Sequence, residues 1–243
     1  GVSVPGLIKR DTGEVAVSPN LEWNNMPVKA ILEEKLHLPV FVENDANAAA
    51  FSELWYGPLD EIKVKTLLYI LVVDGLGTGL IINGELHVGS QIGLGGFGHM
   101  CLEPNGEVCS CGRKGCWETL ASESATIARY HRLMNNKNGS TTTSITDLIA
   151  KANHGDKKAI AAIRATAEYL GDGIASLAHG LSPEIIVVGG DISAAWDLIE
   201  PVIKEKVKSR YLIPSIAKIE IRAASVQRPS LFGAIPIALQ NFF

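Results

Sequence analysis

The chain carries two hydrophobic periods. In MPVKAILEEKLHLPV the apolar positions fall at helical spacing from Val28 to Leu36, and Pro39 closes the run. The opening GVSVPG reads as a strand entering a Pro-Gly turn, and VFVEN as a short buried strand. DANAAAFSELWYG follows as an Ala-rich helix closed by Gly57. A β-meander comes next. TLLYILVV is one strand and Asp-Gly a type I′ turn; GTGLII is a second strand, and Asn-Gly turns it into ELHVG. Beyond a cysteine-rich segment the pattern predicts a helix over about 119–134 and a polar loop, NNKNGSTTTS. SITD reads as a capping box that opens a helix at Ser144. A long helix over 156–180, the buried strand EIIVVGG, a helix over 194–210, a strand over 217–223 and a last helix from 230 complete the chain. Strands first, then alternating helices and strands, predict an α/β fold with mixed sheets, and no internal repeat is visible. With no methionine and no cap before the first strand, upstream residues are expected.

Composition narrows the function classes. Hydrophobic residues make up 47% and charged residues 20% of 243, the balance of a globular domain with a sizeable core. The longest apolar run, LLYILVV, is too short to cross a bilayer and no signal peptide is seen, so the expected location is the cytoplasm, with no membrane partner. A net charge of −4 argues against nucleic acid, which needs a basic face to displace counterions. The basic stretch PVIKEKVKSR at 201–210 reads as the solvated face of a helix.

The segment HMCLEPNGEVCSCGRKGCWE holds the chemistry. Cys109, Cys111 and Cys116 form C-x-C-x4-C, with Gly112 and Gly115 letting the backbone fold back. Several ligands on one tight loop suit tetrahedral zinc. His99 is the natural fourth ligand; Cys101 is the rival, expected on the same strand and face as His99, and only one is needed. Disulfides compete with this reading, but cytosolic chains rarely use them.

These residues, GFGHM followed by C-x-C-G-x-x-G-C-x-E, together with VENDANAAA, resemble the ROK family, which joins bacterial sugar kinases to sugar-responsive transcriptional repressors. The resemblance runs from SVPG and SPNLEW through SPEIIVVGG to LFGAIPIAL. It implies an actin-like (ribonuclease H-like) fold of two α/β lobes. Residues 1–45 would then be the remnant of a smaller N-terminal lobe, 46–228 a larger lobe with the zinc loop at 99–116, and 229–243 a helix returning to the smaller lobe. It implies His99, Cys109, Cys111 and Cys116 as ligands of structural zinc. Asn44, Asp45, His99 and Glu118 become sugar contacts, and Asp45 is the base that deprotonates the attacking hydroxyl if the protein is a kinase. From the residues alone, Asn44 or Asp45 reads as a helix cap and Glu118 as a first-turn carboxylate favoured by the helix dipole. His99 can serve twice, with one ring nitrogen on zinc and the other toward sugar.

Two departures from the family pattern matter. Gly96 stands where relatives commonly carry the Glu of Glu-x-Gly-His; this removes a contact worth ~1.5–3 kcal/mol unless water fills the gap. The Asp-x-Gly-x-Thr phosphate loop of family kinases is not found, and VDGLGTG puts Asp74 where a phosphate-binding Thr would sit. A carboxylate facing a polyphosphate is repulsive. The resemblance therefore points to the sugar-binding region of a repressor, a homodimer that reaches DNA only through an upstream helix-turn-helix outside this chain. The alternative is a truncated kinase using ATP and Mg2+.

Overall fold

The computed structural model describes residues 1–59, 64–88, 96–135, 143–210 and 219–242. In chain order, β1 (Val2–Val4), β2 (Leu7–Lys9), β3 (Glu14–Ser18) and β4 (Trp23–Met26) precede α1 (Val28–Leu36), β5 (Val42–Asn44) and α2 (Asp45–Tyr56). Then come β6 (Thr66–Val72), β7 (Leu76–Ile82) and β8 (Glu85–Leu86). Helices α3 (Trp117–Ala121), α4 (Glu123–Leu133), α5 (Ile145–Asn153) and α6 (Lys157–Leu181) lead to β9 (Ile185–Gly189), α7 (Trp196–Arg210), β10 (Glu220–Ala223) and α8 (Pro229–Phe242). The mixed α/β class matches the expectation.

The chain forms two compact units. The first comprises 1–71, 77–96 and 224–243; the second comprises 72–76 and 97–223. In the first, β1 pairs parallel with β5, placing Val4 beside Asn44. An antiparallel sheet β2-β3-β4 lies alongside in sequence, and Val4, Ile8, Val15 and Val28 form a shared core. This three-stranded sheet is absent from the sequence reading because its strands are only three to five residues long, and several side chains are half-exposed on both faces. Helix α1 ends as expected, with His37 at φ 54° donating its N–H to Glu33 O, two residues before Pro39.

The alanines of α2 explain the glycines around it. Ala46, Ala48, Ala49 and Ala50 are fully buried. A Cβ on Gly79 would lie 2.6 Å from Ala46 O, and one on Gly77 would lie 2.8 Å from Ala46 Cβ. A Cβ on Gly233 of α8 would overlap the Ala48 carbonyl. Gly77 and Gly79 of GLGTG thus lie in β7 where they admit a close helix, a packing role for part of a weak phosphate signal.

In the second unit, the 25-residue α6 is flanked by α3, α4, α5 and α7, and β10 pairs parallel with β9, all five of whose residues are buried. The Ser144–Asp147 capping box is present in both directions. The predicted helix over 119–134 is broken: Ser122 is extended at φ −74°, ψ 168°, and its hydroxyl accepts the Ala125 N–H, so one residue ends α3 and caps α4. The Asp74–Gly75 turn is not type I′, since neither residue has positive φ; Val73 N–H instead donates to Gly75 O at 3.0 Å. The turn with that geometry is Asn83–Gly84, at φ 54° and 81°. Parts of the expected loop at 135–144 and strand at 217–223 lie outside the described residues.

Candidate functional site

The cysteine-rich segment folds as a two-step hairpin in the second unit. Cys101 and Cys116 form an antiparallel bridge, and Val108 and Lys114 a second one. Trp117 N–H donates to Met100 O at 2.8 Å, and Cys109 N–H to Arg113 O at 2.8 Å. Gly112 and Gly115 sit at φ 83° and 67°, and a Cβ on Gly115 would overlap the Glu103 carbonyl. The glycines therefore do what their spacing suggested: they let the loop close on itself. Trp117, fully buried, anchors the end of the hairpin. Its indole N–H donates to Tyr169 O at 2.8 Å, and its ring fills the place a side chain at Gly173 would take.

This folding brings together the nitrogen of His99 and the sulfurs of Cys109, Cys111 and Cys116, all within 4.8 Å of one another. Cys109 Sγ lies 3.5 Å from His99 Nδ1, and Cys111 Sγ lies 3.6 Å from Cys116 Sγ. A tetrahedron with Zn–S near 2.3 Å and Zn–N near 2.0–2.1 Å requires edges of about 3.6 Å between S and N and about 3.8 Å between sulfurs. The spacing fits a tetrahedral metal, and all four cysteines are free of disulfides. Cys101 stays outside the group. His99 ends a 3-10 turn, Gly96–His99, so the two do not share a strand as expected.

Glu118, in the first turn of α3, closes over this cluster. Its Oε1 lies 2.8 Å from Cys109 Sγ and 3.3 Å from His99 Nδ1. A Cβ at Gly75 would lie 3.1 Å from its Oε2, so a glycine leaves room for the carboxylate. The Glu118 hydrogen bond raises the His99 pKa against burial. Burial pushes Glu118 up, but hydrogen bonds from His99 and Cys109 outweigh it and leave its pKa lowered. Burial and Glu118 together push the Cys109 thiol up. Cys111 is drawn down to about 6: burial opposes ionisation, and hydrogen bonds involving Arg113, Cys109 and Cys116 overcome it.

In the first unit, Asn44 and Asp45 stand at the start of α2. Asn44 is the cap: its Oδ1 accepts from Ala46 N at 2.9 Å and Asn47 N at 3.2 Å, and its Nδ2 donates to Gly6 O at 3.0 Å. Asp45 Oδ1 accepts from Ala46 N at 2.9 Å. Burial raises its pKa, partly offset by hydrogen bonds from the Ala46 and Asp45 backbone and from Asn44. Such a carboxylate suits proton abstraction or acceptance from a hydroxyl.

The sequence reading missed a further group in the second unit. Glu123 opens α4, where its Oε1 accepts from Ile192 N at 3.2 Å. Burial first, then the charges of Asp191 and Asp74, push its pKa up to about 7. Asp74 itself accepts from the Ser124 hydroxyl at 3.4 Å. Nothing local marked Glu123, since its surroundings include Asp74 and Asp191, which are far away along the chain.

Comparison with known proteins gives a consistent result. A sequence model of the ROK family matches residues 1–241. The chain is 32% identical over 252 residues to a xylose repressor of Caldicellulosiruptor bescii, covering 99% of this chain and 62% of the relative. It is 37% identical over 230 residues to a glucokinase of Halalkalibacterium halodurans, covering 89% of this chain and 68% of the relative. Among solved structures, a ROK family glucokinase from Streptomyces griseus in complex with glucose and AMPPNP superposes with a TM-score of 0.89 at 29% identity, over 99% of this chain and 81% of that one. The chain thus spans about three-fifths of the length of the xylose repressor it matches.

Proposed function

The chain belongs to the ROK family, with the actin-like ATPase fold, and from that premise we propose that it is the sugar-binding region of a ROK-type transcriptional repressor. Repressor and glucokinase relatives both match it, so the choice rests on the phosphate chemistry. The observation that carries the choice is the carboxylate group of Asp74, Glu123 and Asp191. Burial is the first cause of the rise of Glu123 to about 7, and the charges of Asp191 and Asp74 add to it; it is those two carboxylates that make the local potential negative. Asp74 occupies the position where the family pattern supplies a phosphate-binding Thr, and a polyphosphate brought there is repelled.

In this reading Asn44, Asp45, His99 and Glu118 are the sugar contacts, and His99, Cys109, Cys111 and Cys116 hold a structural zinc. The zinc supplies rigidity to the hairpin. Glu118 and His99 then meet hydroxyls from fixed positions, which lowers the ordering cost of binding. Asp45 accepts a hydroxyl hydrogen bond. Sugar binding acts by differential affinity: the ligand stabilises whichever arrangement of the protein it contacts better. We assign the protein to the cytoplasm as a homodimer that meets DNA through a separate module. The described helices include none long and apolar enough to cross a membrane.

The kinase reading has its own support in Asp45, whose burial-raised carboxyl matches the base of a phosphoryl transfer to a sugar hydroxyl, using ATP and Mg2+. An ATP-dependent phosphorylation assay on the complete gene product with glucose, xylose and N-acetylglucosamine, run beside sugar calorimetry, separates the two. Binding without turnover is expected. Turnover at about 1–100 per second, the ordinary kinase range, would overturn the repressor reading.

A further inference from the structure

The first compact unit holds a buried carboxylate that no role above absorbs. Glu43, the residue before the Asn44–Asp45 pair, is 7% exposed and sits on β5 opposite Ser3 of β1. Both of its oxygens are engaged. Oε2 accepts from Arg10 Nη2 at 2.7 Å, and Oε1 accepts from Asn44 N and from Asn47 Nδ2, each at 2.9 Å. Asn47 is itself buried, and its own N–H goes to Asn44 Oδ1 at 3.2 Å. One carboxylate therefore holds the main chain at Asn44 and the side chain at Asn47, three residues apart, with Asp45 between them.

Arg10 reaches this carboxylate from the turn at 10–13 between β2 and β3. That turn is braced from both ends. Gly13 N–H donates to Lys9 O at 2.7 Å, and the Lys9 ammonium pairs with Glu14 at 2.6 Å. The guanidinium is thus presented from a fixed base, although the Arg10 side chain remains 53% exposed. A buried carboxylate without a cation is costly, so the Arg10 guanidinium offsets the burial of Glu43 while its two oxygens accept from all three donors.

We propose that Glu43, paired with Arg10, is a positioning residue that fixes the Asn44–Asp45 peptide for sugar recognition. The role in recognition rests on the sugar-site reading above; the clamp itself does not. Removing the cation leaves the carboxylate to seek solvent, and the two hydrogen bonds that hold Asn44 and Asn47 loosen with it. Arg10→Lys keeps a cation within reach and preserves the clamp.

The test compares Arg10→Met, Arg10→Lys and Glu43→Gln with the wild type. Hydrogen–deuterium exchange is followed over 42–48, calorimetric affinity is measured for D-xylose and for D-glucose, and zinc content and melting temperature serve as controls. Arg10→Met is on the surface side of the pair and is the variant most certain to fold. Exchange in 42–48 is expected to accelerate in Arg10→Met and Glu43→Gln. Affinity should drop about tenfold, the size of one charge-assisted hydrogen bond. Zinc content should be unchanged and Arg10→Lys should stay near wild type. Unchanged exchange in Arg10→Met overturns the clamp, whether or not either sugar binds. Accelerated exchange with undiminished affinity overturns the recognition role. Asp45→Asn with undiminished affinity would instead overturn the sugar-site reading and leave the clamp judged by exchange alone.

Discussion

Replacing Glu123 by Gln should stabilise the protein at neutral and alkaline pH and leave it nearly unchanged in acid. The Glu123 carboxyl titrates at about 7 in the fold against 4.5 when unperturbed. A raised carboxyl pKa means that the folded state keeps a proton that the unfolded state has already lost. The resulting penalty is absent below about pH 4.5, grows between 4.5 and 7, and is complete above 7. At ~1.36 kcal/mol per pH unit, that interval corresponds to ~3 kcal/mol. Part of the carboxylate reaches solvent, which screens it, so about 2 kcal/mol is the fitting magnitude. Glutamine keeps the carbonyl that accepts the Ile192 N–H at 3.2 Å and removes the charge that repels Asp74 and Asp191. For a chain of this length, 2 kcal/mol corresponds to roughly 4–8 °C in melting temperature. Urea unfolding of both proteins at pH 8 and pH 5, with zinc present throughout, measures the difference. A variant that is less stable than wild type at pH 8, or stabilised equally at both pH values, would refute the reasoning. It would also withdraw the negative potential on which the argument against phosphate binding stands.

Three other outcomes are expected. Cys111→Ser should lose bound metal and melt well below the wild type, because a structural ion contributes its binding energy to folding; metal analysis with calorimetry checks this, and a chelated wild type with an unshifted melting temperature contradicts it. Gly173→Ala should cost about 1–3 kcal/mol, because the new methyl overlaps the Trp117 ring, with tryptophan fluorescence reporting the displaced indole; wild-type stability in denaturant would mean the contact is looser than described. Ser122→Ala should cost about 1 kcal/mol by uncapping α4, and a helix running unbroken through 122 in the variant would show that the hydroxyl, rather than packing, makes the break.

Much of this protein is written in short-range pattern. The clustering of Cys109, Cys111 and Cys116 was legible because they lie on one loop, where spacing and two glycines restrict the geometry, and His99 was the preferred companion over Cys101. The Ser144 capping box and the Ala-rich α2 were legible for the same reason: a cap or a helical face involves residues three or four apart, whose relation the chain itself dictates. Other features needed the folded chain. Nothing near Ser122 said that one hydroxyl would end a helix and begin the next, and Asp74–Gly75 has the composition of a type I′ turn without its dihedrals. Arg10 reaches Glu43 across 33 positions, and Asp74, Glu123 and Asp191 gather from three separate segments. Local periodicity encodes which backbone hydrogen bonds form. Which charges meet is set by the long-range path of the chain, and a carboxylate acquires its protonation from its burial and those neighbours rather than from its own sequence.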